Sequence, residues 1–505
     1  MSHASPPGTA ASPVTKAAIG GVVGFLVVME LGSGMLQGWY PVLLTAIGGE
    51  FGVSAAALNW VSAGYMLATI VFVPVIAKLG DRYGHKKLLA VSAALVALGS
   101  IVVAIAPNFA VLLLGRALQA PLAAFLPLEF AIVRDRDEKS SGRSIGKLVG
   151  ALTFGAAIGA LGAGLLFNAT ANLRLVLWVP AIFLALCVPV VLFLVPESKA
   201  RATGRIDWIG ASLLGIGMLL ALGGIGNAAT LGWTNPVTWI VIVAGIALLA
   251  LWVVVERRVA HPLIEISVLT KGGIGLPIVI AFLFGAQLFG SQTATTVYML
   301  TDPAKAGFGL GVSPGTVGIL SVITALAAFV AATLGDRLAT RVGSKLALVA
   351  GGLLLVVSYL ILVVGAHSLA VVAVGMVVGG QGNGILIAVL PAIVVKRAPA
   401  DSVGIASALY NTSRTAAGAV AGALFALVMG SFLVTLGSGP TAVTTTAFAG
   451  YVAVWLICAA IGAAVVVLSL FIREKRVAAD ADTVTVVTDA AAIPTTPPIA
   501  AGETA

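Results

Sequence analysis

Apolar residues dominate this chain in long blocks separated by short polar stretches. Fourteen blocks stand out: 17–47, 56–77, 88–106, 109–133, 145–168, 174–195, 208–231, 237–255, 274–299, 314–335, 346–365, 369–395, 403–434 and 447–472. Each is long enough to cross a hydrocarbon layer of ~30 Å as a helix. Lipid offers backbone N–H and C=O groups no partner, so a segment inside it must hydrogen-bond to itself. The pattern predicts an all-α membrane protein of fourteen transmembrane helices. The polar stretches between blocks are too short to hold a folded soluble domain. The first block is longer than the apolar core of a secretory signal and has only Lys16 close before it. It is therefore expected to be the first spanning helix.

Composition and charge sharpen this reading. The 505 residues are 60% hydrophobic and 9% charged, whereas soluble domains carry about 25% charged residues. A net charge of +9 would point to nucleic acid in a soluble protein. Here its distribution points elsewhere. All 28 Lys and Arg except Arg116, Arg174, Lys305 and Arg414 fall in the tails or in alternate connections on one side. That asymmetry is the positive-inside rule. It predicts a multi-pass plasma-membrane protein with both termini cytoplasmic and no nucleic-acid partner. Cys187 and Cys458 lie inside apolar blocks, where inert thiols are expected rather than a disulfide framework or a metal cluster.

One charged phrase occurs twice. Leu79-Gly80-Asp81-Arg82 follows the second block, and Leu334-Gly335-Asp336-Arg337 follows the tenth. After the second copy, four residues intervene before Arg341-Val342-Gly343-Ser344-Lys345, which parallels Arg82-Tyr83-Gly84-His85-Lys86. Gly84 and Gly343 permit the positive φ that a tight turn can require. A phrase repeated at matching places implies an internal duplication, a common architecture among secondary transporters. The expected organisation is a tail (1–16), a six-helix bundle (17–200), a two-helix insert (201–268), a second six-helix bundle (269–476) and a disordered cytoplasmic tail (477–505).

These features resemble the major facilitator superfamily, and within it the fourteen-helix drug–proton antiporter branch. Ala77 to Lys87, AKLGDRYGHKK, is similar to the superfamily's loop signature G-x-L-x-D-R-x-G-R-K-K, with Ala77 in place of the leading Gly. Trp60 to Leu67, WVSAGYML, resembles the branch's second helix; Gly404 to Ser407 with Asn411 to Arg414 and Gly418 resembles its thirteenth. The insert, with Gly232 to Pro236 at its outer turn, suits the fourteen-helix layout. The resemblance implies a cytoplasmic gate formed by Gly80, Asp81, Arg82, Gly84 and Lys86, with Asp336 and Arg337 in the second copy. Two departures stand out. In the fifth-helix antiporter signature, G-x-x-x-G-P-x-x-G-G, the chain has Ala160 for proline and Ala163 for a glycine. The acid usual in the outer half of the first helix falls at about Leu36.

Ionisable groups inside a membrane are costly enough to be functional hypotheses by default. Glu30 sits near the middle of the first helix, with Ser33, Gly34 and Gln37 on its face by helical spacing. A carboxyl in that setting is suited to carrying a proton. Arg116 and Gln119 match R-x-x-Q of a superfamily signature, with Ala120 in place of its final Gly. By resemblance Arg116 is tied to proton coupling and is the natural counter-charge for Glu30, or else forms a structural salt bridge. Glu129 is expected to pair with Arg134 at the cytoplasmic end. Gln287, Ser291, Thr295 and Tyr298 share a face of the ninth helix, and Gln381 and Asn383 lie in a Gly-rich part of the twelfth. With Ser33, Gln37 and Gln119, the residues Gln287, Ser291, Thr295, Gln381 and Asn383 are the expected substrate-cavity lining. Arg414 fits equally a helix-packing role, bonded to backbone carbonyls.

Two function classes follow. One is a secondary transporter that couples protons to efflux of small apolar or amphipathic compounds by alternating access. The other is an importer or facilitator of a small nutrient on the same fold, since fold alone does not fix function. An intramembrane enzyme fits poorly: His3 is in the tail, His85, His261 and His367 fall in or beside loops, and no metal-ligand spacing appears. The expected partners are a small-molecule substrate, protons and lipid, with no cofactor or metal, in a monomer.

Overall fold

The computed structural model describes residues 13–134, 141–197, 207–259, 273–397, 403–436 and 443–472. The first span is α1 (Pro13–Val42), followed by the short α2 (Leu44–Phe51), α3 (Ala55–Tyr83) and α4 (His85–Ala104). The fourth span is split into α5 (Phe109–Leu118), a 3-10 turn (Ala120–Ala124) and α6 (Phe125–Arg134). Then come α7 (Ser141–Thr170), α8 (Leu173–Leu194), α9 (Trp208–Leu231) and α10 (Pro236–Glu256). The remainder is α11 (Gly275–Leu300), the short α12 (Pro303–Ala306), α13 (Pro314–Val342), α14 (Ser344–Gly365), α15 (Leu369–Arg397), α16 (Val403–Gly430) and α17 (Phe448–Leu470). Among the described residues, fourteen spans are long and apolar enough to cross a membrane, as the blocks predict.

The differences from the block pattern have local causes. The run 109–133 breaks at Ala120-Pro121 because proline carries no amide hydrogen to continue the helix. The run 403–434 stops at Gly430, and an antiparallel hairpin follows, β1 (Leu433–Leu436) on β2 (Val443–Thr446). Thr, Val and Leu form it, and four-residue strands are too short to announce themselves in a hydropathy pattern.

The repeat is visible in the backbone. Ser54 caps α3 by accepting the Ala57 amide, and Ser313 caps α13 by accepting that of Thr316. Both helices are 29 residues long and end at a glycine of positive φ, Gly84 at 115° and Gly343 at 93°. The two LGDR phrases do not superpose on this frame. Because α13 continues to Val342, Gly335, Asp336 and Arg337 lie inside the helix. They sit about one turn above the place where Gly80, Asp81 and Arg82 sit in α3. The four intervening residues are that turn, and Arg341 to Lys345 are the counterpart of the first loop.

Close helix contacts fix the core. A Cβ on Gly34 would lie 2.0 Å from the carbonyl oxygen of Leu152, and one on Gly38 the same distance from that of Ala156. From the facing helix, Gly155 and Gly159 press on the backbone of Leu31 and Met35. The Gly-rich fifth span therefore serves backbone-to-backbone packing of α7 on α1. Farther along, Gly164 meets Pro314, and Gly318 meets Ala160. Asn168 donates to Ser313 Oγ at 3.0 Å. On the other flank Gly418 and Gly422 meet Met66 and Ala63, and Asn59 reaches the sulfur of Met429. These contacts between the first six and last six spans all lie toward the side opposite the turns at Gly84 and Gly343. The insert packs its Gly215 and Gly226 against Val71 and Trp60 of α3.

Candidate functional site

The break in the fourth span organises the polar centre of the molecule. Arg116 lies in the last turn of α5, and Gln119 caps that helix where the chain turns toward Pro121. Arg116 Nε donates to the Val61 carbonyl at 3.0 Å, and its Nη1 donates to Gln119 Oε1 at 2.6 Å. Gln119 Nε2 in turn donates to the Tyr40 hydroxyl at 2.8 Å and to Ser100 Oγ at 2.9 Å. The guanidinium carbon sits 4.0 Å from the Tyr40 ring centroid and 4.7 Å from that of Tyr65. Arg116 is thus held between two aromatic faces by neutral acceptors.

Glu30 has a different companion. The carboxyl group of Glu129, on α6, lies beside it, with Ser33 and Tyr65 as further polar neighbours. Both acids have 0% exposure, and none of their four carboxyl oxygens accepts a hydrogen bond from a nitrogen or hydroxyl donor. Arg116 and Glu30 do not form the ion pair suggested by the sequence: Arg116 bonds to neutral acceptors, and the neighbour of Glu129 among the described residues is Glu30. The side chain of Arg134 lies outside the described residues. Two carboxylates in low dielectric without a cation repel strongly, and they hydrogen-bond to each other only through a shared proton. Leu36, where the family places an acid, is fully buried in the apolar core.

The family then follows from comparison with known proteins. The sequence profile of the Major Facilitator Superfamily matches residues 26–422 and 278–491. The chain belongs to the major facilitator superfamily. It resembles the multidrug resistance protein Stp of Mycobacterium tuberculosis, 26% identical over 78% of this chain and 72% of that protein. It also resembles a probable actinorhodin transporter of Streptomyces coelicolor, 27% identical over 84% of this chain and 76% of that one. A third relative, the uncharacterised transporter YhcA of Bacillus subtilis, is 29% identical over 55% of this chain, and the match spans about half of that protein (52%). A crystal structure of a POT family transporter shares the fold, with a TM-score of 0.65 at 15% identity over 90% of this chain and 96% of that one. This superfamily member is a multi-pass membrane transporter of small molecules, not an enzyme.

Elsewhere in this transporter the expected cavity residues scatter. Ser33 is buried and accepts a long contact of 3.4 Å from the exposed Gln37. Gln287 donates to the Tyr359 hydroxyl, which donates to Ser291 Oγ at 2.8 Å. Thr295 accepts the Trp455 indole at 3.1 Å. These three residues of α11 are therefore tied to α14 and α17. Gln381 is exposed in a shallow groove between α13 and α15, lined with Leu320, Thr324 and Val377. Asn383, two positions on, is partly buried on another face, its Oδ1 without a donor.

At the first loop, Asp81 Oδ1 meets His85 Nε2 at 3.0 Å, the aspartate 55% exposed and the histidine 7%. Arg82 stacks on Tyr83, Gly80 packs against Leu128, and the Lys86 amide donates to Glu197 at 3.1 Å. His85 stands where the superfamily signature has arginine, so the loop aspartate of α3 is engaged by the first residue of α4. Arg337 is exposed, and the side chain of Asp336 lies outside the described residues. Tyr40, Tyr65, Ser100 and Tyr359, which complete the polar networks, escape sequence reasoning because an isolated hydroxyl in an apolar helix has no spacing signal.

Proposed function

We propose that this transporter exports small apolar or amphipathic compounds by alternating access, in exchange for protons carried on Glu30 and Glu129. The observation that carries the reading is the buried pair of acids with no cation beside them among the described residues. In one access state the pair shares a proton. When water and substrate reach the site, the proton leaves and the exposed carboxylate is stabilised by solvent or by the incoming compound. Arg116, held by Gln119, Tyr40 and Tyr65, keeps α5 and α3 in register with the broken helix on which Glu129 rides. The names of the relatives in Mycobacterium tuberculosis and Streptomyces coelicolor, a multidrug resistance protein and a probable actinorhodin transporter, support export.

The contacts between the two sets of six spans lie away from the loops. With those loops cytoplasmic, as the charge distribution predicts, this is an inward-facing arrangement. Glu30→Gln is expected to abolish substrate accumulation against its gradient in energised vesicles while substrate binding stays measurable. Retained uphill transport in that variant overturns the coupling role. Ala160 in place of the antiporter proline and Leu36 in place of an acid favour a second reading, a facilitator. It predicts downhill transport that Glu30→Gln leaves unchanged.

A further inference from the structure

Arg414 belongs to none of these networks. It lies about midway along α16 (Val403–Gly430), inside a candidate span. Its backbone is pressed against α11, where a Cβ on Gly285 would fall 2.2 Å from the Arg414 carbonyl oxygen. The guanidinium carbon stands 5.7 Å from each of two ring centroids, Phe289 and Tyr410. Arg414 Nε is buried with no acceptor, and the Tyr410 hydroxyl lies beside the guanidinium. Among the described residues no carboxylate pairs with Arg414.

Its place on the helix explains what it faces. Asn411, Arg414, Gly418 and Gly422 share one face by helical spacing. Gly418 and Gly422 are sealed against Met66 and Ala63 of α3. Asn411, nearly a turn toward the loop side, is exposed. Arg414 therefore stands between the sealed Gly418 and the exposed Asn411. A fixed cation at membrane depth is costly without an anion. Arg116 meets that cost with its carbonyl and amide acceptors, whereas Arg414 has aromatic faces, a neutral hydroxyl and an Nε without an acceptor.

We propose that Arg414 determines substrate specificity, taking the anionic oxygen group of an aromatic or amphipathic compound, a carboxylate or ionised phenol. The planar guanidinium presents a fork of donors to such a group. The Tyr410 hydroxyl adds another, and Phe289 supplies a face for the ring system. This deepens the export reading and rests on it: the substrate's anion sits on the last six spans, and the exchanged proton sits on the first six.

The test measures binding of anthracene-9-carboxylate and its methyl ester, two fluorescent probes of one shape, to the full chain in neutral detergent at pH 7. The wild type is expected to bind the acid at least tenfold more tightly than the ester. Arg414→Gln is expected to lose about 10- to 100-fold for the acid and little for the ester, and Arg414→Lys to fall between. Equal loss of acid and ester, or a wild type that prefers neither, overturns the proposal. If Arg414→Gln does not fold, the wild-type preference and Arg414→Lys decide it. Added phosphatidylglycerol that displaces the acid would assign Arg414 to a lipid headgroup and overturn the substrate role. No proton gradient is used, so failed coupling at Glu30 and failed recognition at Arg414 are read separately.

Discussion

Replacing Gln119 with leucine should destabilise the protein more than its single side chain suggests. The residue accepts the 2.6 Å bond from Arg116 and donates to Tyr40 and Ser100. Losing an acceptor for a buried cation costs about 1.5–3 kcal/mol. The two neutral bonds, made across helices inside the membrane, contribute about 0.6 kcal/mol each. Ser100 retains a bond of its own to the Val96 carbonyl, which limits its share. The expected loss is about 3 kcal/mol, a factor on the order of one hundred in the folded-to-unfolded ratio. Reversible unfolding in mixed micelles with rising dodecyl sulfate, followed by tryptophan fluorescence, measures it. Gln119→Glu, which keeps an acceptor for Arg116, should lose less. A Gln119→Leu protein destabilised by under about 1 kcal/mol would refute the claim that Arg116 depends on this neutral cradle.

Two further predictions concern packing and gating. Gly38→Ala drives a Cβ to 2.0 Å from a backbone oxygen, where neither helix can yield locally. A loss of about 1–3 kcal/mol is expected; Gly24→Ala, with nothing within 4 Å, is the control, and thermal unfolding in detergent compares them. Asp81→Asn removes the charge facing His85 and should slow turnover several-fold with substrate affinity unchanged. An altered binding constant with normal turnover contradicts that assignment.

Much of the architecture is legible in the hydrophobic pattern, because spanning a membrane constrains helix length directly. The break at Pro121 is visible only as a proline inside an apolar run, and such residues are often tolerated in membrane helices. The second LGDR phrase misleads for a related reason. Charge marks a helix end only approximately, and α13 carries Asp336 and Arg337 a full turn before it stops at Gly343. Glu30 is identifiable from its isolation in the first helix. Its partner is not, because Glu129 and Arg134 are close in sequence, whereas Glu30 and Glu129 meet only when α1 packs beside α6. The polar residues of α11 share a face as the spacing predicts, yet that face bonds to Tyr359 and Trp455, and no sequence period encodes which neighbour it meets.

Exchange of substrate for protons at the two buried acids can be measured in inside-out vesicles with an acidic lumen and a pH-sensitive dye inside. A panel of lipophilic cations, neutral aromatic antibiotics and aromatic acids is added to vesicles carrying wild type, Glu30→Gln or Glu129→Gln. Substrate-triggered proton release from the lumen is expected in wild type alone. Equal release from vesicles carrying either variant, or substrate uptake by wild type with no proton movement, would contradict it.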